Sequence, residues 1–254
     1  MAAPINPAKV PAVYHTPPPP TLDDSSRALI LSELVSPLDL KAGTAINPER
    51  VKPVVVYDGS TSTITFNGRT LDQKQIVEQL EKIDEKLRGS CNVLNLSNCK
   101  VESLEFLRLF PNITRLDLTG CYRLRSLKGI EECAKLNQLI IKNCKSLDDL
   151  ATLAHTKLLV LGADGCDGIS DIEGIRGLPL RTVDLSNCRG IRSLGAVLSL
   201  GDLNELYLRA LPRLTNINQF NVLIKLKTID VTDSGVPKGE IVAFSELLSK
   251  RHHE

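Results

Sequence analysis

From residue 91 onward the apolar residues keep a period that suits neither a helix nor an ordinary sheet. Ile113, Leu116, Leu118, Cys121, Leu124, Leu127 and Ile130 form one pass, and Leu136, Leu139, Ile141, Cys144, Leu147, Leu150 and Leu153 the next. Passes headed by Leu158, Leu180 and Leu203 follow at steps of 22 or 23 residues. A tighter unit runs from Cys91 to Phe110, and a degenerate one takes in Leu226, Ile229, Val231 and Ser234. Each Leu-x-Leu pair alternates with the period of a strand. The apolar residues after it recur every third position, which predicts short 3₁₀ turns or extended coil. Each unit must turn back on itself and stack on its neighbours, because one unit cannot bury its apolar face alone.

A stack of this kind has open ends to cover. Residues 71–87 carry Ile76, Val77, Leu80, Ile83 and Leu87 on a helical stripe, with Thr70 as N-cap, Gln73 three residues on and Gly89 as the stop. A second short helix, 240–250, closes the other end through Ile241, Val242, Phe244, Leu247 and Leu248. Before the front cap, 52–57 and 63–66 flank Asp58-Gly59-Ser60 and read as a β-hairpin. Ser26 to Val35 reads as a short helix, and residues 1–20, with seven prolines, as an extended tail. The boundaries are a tail over 1–20, an extension over 21–70, a cap over 71–90, repeats over 91–234 and a closing helix and tail over 235–254.

The pattern L-x-x-L-x-L-x-x-C-x-x-L-x-x-L-x-x-L over 91–234 resembles the leucine-rich repeat family. Its length and triplet spacing are similar to the short class of a protein phosphatase 1 regulatory subunit, with cysteine at the ninth position as in cysteine-containing repeats. The resemblance implies an α/β fold: a right-handed solenoid with a parallel β-sheet on its concave face, 3₁₀ and coil on its convex side, and a helical N-terminal cap. It also implies relatives that bind proteins in spliceosomal, phosphatase and axonemal assemblies.

Composition narrows the setting. Lys and Arg number 31 against 30 Asp and Glu, so no bulk charge draws the chain to nucleic acid or a membrane surface. No apolar run could serve as a signal-peptide core or membrane span. The seven cysteines are odd in number and contain no C-x-x-C pair, which points to reduced thiols in an intracellular compartment. Cytoplasmic or cytoskeletal placement is expected, with mitochondrial import as the alternative. Five of the cysteines, Cys99, Cys121, Cys144, Cys166 and Cys188, form a ladder of small buried donors where the chain leaves each strand. The sequons at Asn95 and Asn112 are read as chance matches.

Catalytic chemistry is not indicated. The histidines, His15, His155, His252 and His253, stand beside no nucleophile and acid, and no phosphate-binding glycine loop occurs. No metal, cofactor or small-molecule substrate is expected. Asp164, Asp167 and Asp171 are close in sequence, but the repeat register divides them between a strand end and the following turn. Two surfaces remain. On the sheet face, Ile140 and Val160 form an apolar centre, Tyr207 an anchor, and Lys142, Arg209, Glu205 and Asp184 a polar surround. After the ladder position, Arg123, Arg125, Lys145, Arg189, Arg192 and Arg213 outnumber Asp148 and Asp167 and form a basic ridge. The reading is a non-catalytic protein-binding scaffold within a larger assembly, binding its protein partners through the sheet face and the N-terminal arm. One alternative is a ribonucleoprotein subunit with RNA phosphates along the ridge, and another is an enzyme's regulatory subunit.

Overall fold

The structure, a computed structural model, describes residues 55–66 and 71–251. The proline-rich tail, the helix expected at Ser26 to Val35, the first three residues of the expected hairpin and the N-cap assigned to Thr70 all lie outside those residues.

Seven three-residue strands follow one another as the repeat predicts: β3 (Val93–Asn95), β4 (Arg115–Asp117), β5 (Gln138–Ile140), β6 (Val160–Gly162), β7 (Thr182–Asp184), β8 (Glu205–Tyr207) and β9 (Thr228–Asp230). They pair in parallel and strictly in order, so that Val93, Arg115, Gln138, Val160, Thr182, Glu205 and Thr228 share one row. Between strands the chain returns through short 3₁₀ turns, such as Glu105–Leu109 and Ala151–His155. The middle residue of each strand from β3 to β8 is fully buried, and these side chains merge with those of the return segments into one apolar column. The fold is a leucine-rich-repeat solenoid with an unclosed sheet.

Where the chain leaves each strand, one residue adopts a left-handed conformation: Asn98, Gly120, Asn143, Gly165, Asn187, Ala210 and Asp233, with φ between 52° and 76°. Asn, Gly and Asp tolerate that region better than other residues. The alternation of Asn and Gly has a packing cause. A Cβ on Gly120 would lie 2.6 Å from Asn98 Oδ1, and one on Gly165 2.4 Å from Asn143 Oδ1. Each asparagine amide therefore occupies the space its glycine neighbour leaves. Asn187 precedes Ala210, which has a Cβ, and its Nδ2 instead donates back to Asp164 at 2.8 Å. After the first five left-handed residues the next residue is a ladder cysteine, and from the second on its thiol donates to a backbone carbonyl of the preceding coil: Cys121 to Leu96, Cys144 to Leu118, Cys166 to Ile141 and Cys188 to Ala163, at 2.9–3.2 Å.

The front end differs from the single helix expected there. It forms two helices, α1 (Gln73–Lys82) and α2 (Glu85–Ser90). Asp72 caps α1 in a reciprocal box with Gln75, and Asp84 caps α2 through the N–H groups of Lys86 and Leu87, so the chain breaks at extended Ile83. Gly89 lies inside α2 and ends nothing. Gln73 is a clamp: its Oε1 accepts from Glu102 N–H at 2.8 Å and its Nε2 donates to Ser103 O at 3.3 Å, fastening α1 to the first coil. The hairpin, β1 (Val55–Asp58) with β2 (Thr63–Phe66), is antiparallel, and β2 then pairs in parallel with β3. It is therefore the first part of the sheet. At the far end α3 (Lys238–Arg251) buries Phe244 and Leu248, and its Glu240 accepts from the N–H of Ile217 at 2.6 Å.

All seven cysteines are buried and none is in a disulfide. Burial pushes the Cys144 and Cys166 thiols up to about 12, and those of Cys121 and Cys188 rise for the same reason. Since the thiolate is the reactive form, iodoacetamide at mildly alkaline pH should leave Cys121, Cys144, Cys166 and Cys188 unmodified in the folded protein and alkylate all four in denaturant. Peptide mass mapping checks this, and rapid native labelling of the four would contradict it.

Candidate functional site

The sheet face is built by the side chains that alternate with the buried leucines. Its central row reads Asn95, Asp117, Ile140, Gly162, Asp184, Tyr207 and Asp230. Four of these residues act first on their own backbone. The Oδ1 atoms of Asn95, Asp117, Asp184 and Asp230 accept from the N–H two residues on, in Ser97, Thr119, Ser186 and Thr232, at 2.9–3.0 Å. A strand this short ends with an unpaired donor, and an Asn or Asp side chain satisfies it locally. The letters Asn/Asp-x-Ser/Thr recur at all four places, and that repetition could have revealed the role. The sequon at Asn95 is one of them. In the other, Asn112 donates to Gly89 O and accepts from Lys135 Nζ, both at 2.7 Å.

The sheet-face residues singled out from sequence do point away from the leucine column, and the structure brings them together on one surface. Ile140 and Tyr207 are nevertheless only 5% and 8% exposed, because neighbouring strands stand close on either side. Ile140 leans over Gly162, where an added Cβ would sit 3.1 Å from its Cδ1. Val160 and Glu205 are half-buried. Lys142 and Arg209 already face carboxylates of their own chain, Asp184 at 3.9 Å and Asp230 at 3.8 Å. Burial raises the Asp184 carboxyl above its ordinary range, opposed mainly by its bonds from Ser186. Burial, aided by Glu205, Asp184 and Asp230, pushes the Tyr207 phenol up to about 12.

The basic residues of the ridge are all exposed. They fall into two groups. Arg123, Arg125 and Lys145 lie on the earlier coils, with Arg123 3.4 Å from Glu102, while Arg189, Arg192 and Arg213 line a groove of about 340 Å³ between later coils. Asp167 separates the groups. The acidic trio divides as its register requires. Asp164 holds Asn187, and Asp171 accepts from Glu173 N–H at 2.7 Å. The same local cap recurs one coil before and after, at Asp149 and Ser193. Among the described residues no cluster of His, Cys, Asp and Glu is arranged to hold a metal.

Residues 68–163 match the family model for the leucine-rich-repeat domain of the endo-β-N-acetylglucosaminidase EndoS. Among solved structures, internalin C2 of Listeria monocytogenes is 17% identical, over 67% of this chain and 80% of its own, with a TM-score of 0.41. An internalin of the same organism (inlF) is 16% identical over 74% of this chain and 73% of its own, with a TM-score of 0.38. A leucine-rich-repeat protein of Leptospira interrogans is 12% identical over 66% and 73%, with a TM-score of 0.16. No curated protein sequence matches the chain.

Asp184 separates backbone capping from charge. A folded-state value raised above 3.8 stabilises the protein below that pH, and the benefit is lost as pH rises through the raised value. Asp184→Asn keeps an acceptor for Ser186 and removes the buried charge. Its melting temperature should equal or exceed that of the wild type at neutral pH and lack the wild-type decline across that window. Asp184→Ala should cost about 1–2 kcal/mol, since the buried Ser186 N–H loses its acceptor. A wild type more stable than the Asn variant at neutral pH would contradict this.

Proposed function

We propose that this leucine-rich-repeat protein is a non-catalytic protein-binding scaffold, a structural subunit of a larger assembly that binds its partner through the sheet face and a further contact through the N-terminal arm. The observation that carries this reading is the strict register of the parallel sheet. It holds outward side chains of every coil on one frame, so docking orders little that is not already ordered. The apolar strip of Ile140 and Val160 beside Gly162 provides a dry centre, and Arg115, Gln138, Lys142, Glu205 and Arg209 surround it. Because Ile140 and Tyr207 expose little surface, affinity falls to the half-buried and exposed residues around them.

Seven buried thiols outside any disulfide support a reducing intracellular setting. No helix among the described residues is long and apolar enough to cross a membrane.

Val160→Arg with Arg209→Glu alters the sheet face without touching the leucine column. Tagged protein carrying both changes should melt within about 2 °C of the wild type. It should also lose partners recovered with the wild type by roughly tenfold or more, whereas Glu132→Arg, on the return side, should keep them. Quantitative co-purification followed by cross-linking reads the result. Retention of every partner by the sheet-face variant and loss by Glu132→Arg would overturn the proposal.

A further inference from the structure

We infer that the groove bordered by Arg189, Arg192 and Arg213 is a second binding site, for an acidic peptide segment in which clustered carboxylates flank an aliphatic side chain. It lies off the sheet face and does not depend on that face being a binding surface.

Three observations converge. The first is charge. Arg189 and Arg192 come from one coil and Arg213 from the next, and no carboxylate among the described residues lines the groove. None of the three guanidiniums is ion-paired among the described residues. Acids on the adjoining coil are already engaged: Glu173 is bound to Arg176 at 2.6 Å, and Asp171 caps the turn. Planar guanidinium forks left free in this way match carboxylates.

The second observation is the floor. In earlier coils the residue three places after the ladder position, Leu124, Leu147 or Ile169, is fully buried. Beneath the groove its equivalents Ile191 and Leu214 are 8% and 6% exposed, and Leu211, which stands where other coils have cysteine, is 6% exposed. The column is thus slightly opened where the unpaired cations gather, and an aliphatic side chain from a ligand can complete it.

Third, the rim is peptide-like. Asn216 and Gln219 also line the groove; Asn216 Oδ1 accepts from Asn218 N–H at 2.8 Å and Gln219 Nε2 donates to Asn216 O at 3.1 Å, so Asn216 Nδ2 and Gln219 Oε1 are the donor and acceptor left for a peptide backbone. A nucleic-acid strand fits less well. It needs successive cations along its phosphates and aromatic faces for its bases. Here the stack from Lys145 to Arg189 is interrupted by Asp167, and the exposed Tyr122 is three coils away from Arg189.

Fluorescence anisotropy with the full chain tests this. The probes are a labelled dodecapeptide of two leucines flanked by Asp and Glu, its Asn/Gln counterpart, and an oligouridylate of equal charge. The acidic peptide should bind at least about tenfold tighter than the neutral one, and R189A/R192A/R213A should remove that advantage. All three arginines are exposed, so the variant's melting curve should overlay the wild type's. R123A/R125A/K145A should bind the acidic peptide within about twofold of wild type. Equal binding of acidic and neutral peptides, absence of binding to both, equal loss in the two triple variants, or tighter binding of the oligouridylate would each overturn the inference.

Discussion

One backbone hydrogen bond, repeated between coils, governs this structure. The N–H of each left-handed residue but the last, Asp233, donates to the carbonyl one place before its counterpart in the next coil: Asn98 to Thr119, Gly120 to Lys142, Asn143 to Asp164, Gly165 to Ser186, Asn187 to Arg209 and Ala210 to Thr232, at 2.6–2.9 Å. The bond extends the sheet past three-residue strands that would otherwise be too short to hold register. It demands a left-handed conformation from the donor, and that conformation turns the chain inward so that the next side chain enters the stack. Cysteine is small enough to be buried there and still donate to the coil before it. The leucines supply the free energy of burial, but the turn decides where each leucine sits.

The same constraint shapes both candidate surfaces. Because every coil leaves the sheet at the same height, outward side chains form rows, and a residue's exposure depends on its neighbours in adjacent coils. Ile140 is covered partly because Gly162 beside it lets it lie down. The arginine groove opens where Leu211 takes the place of the ladder cysteine. Ala210, the one left-handed residue of the series that is neither Asn, Asp nor Gly, stands immediately before it.

The amino-acid pattern made the solenoid, its strand register and its 3₁₀ returns legible, since each follows from the spacing of large apolar residues. The capping residues were equally visible as letters, in Asn-Leu-Ser, Asp-Leu-Thr, Asp-Leu-Ser and Asp-Val-Thr at the strand ends, but they carry no apolar signal. The break at Ile83 was hidden because Ile83 continues the helical stripe, and only the Asp84 cap competes with it. The union of the hairpin with the sheet required knowing which edge β2 would meet. The candidate sheet-face residues do share one face, as the register requires, but their accessibility was not legible. It arises from contacts between residues 22 or 23 apart, such as Ile140 with Gly162, and from small changes in how coils stack.

Site-resolved native-state hydrogen exchange on the full chain measures the governing bond directly. The amides of Asn98, Gly120, Asn143, Gly165 and Asn187 should exchange as slowly as the strand-end amides of Leu96, Leu118, Ile141 and Ala163, with protection lost first at Val231 and Asp233, which no later coil covers. Left-handed residues that exchange as fast as the 3₁₀ returns, or protection that fails first in the central coils, would contradict the dependence of the stack on this bond.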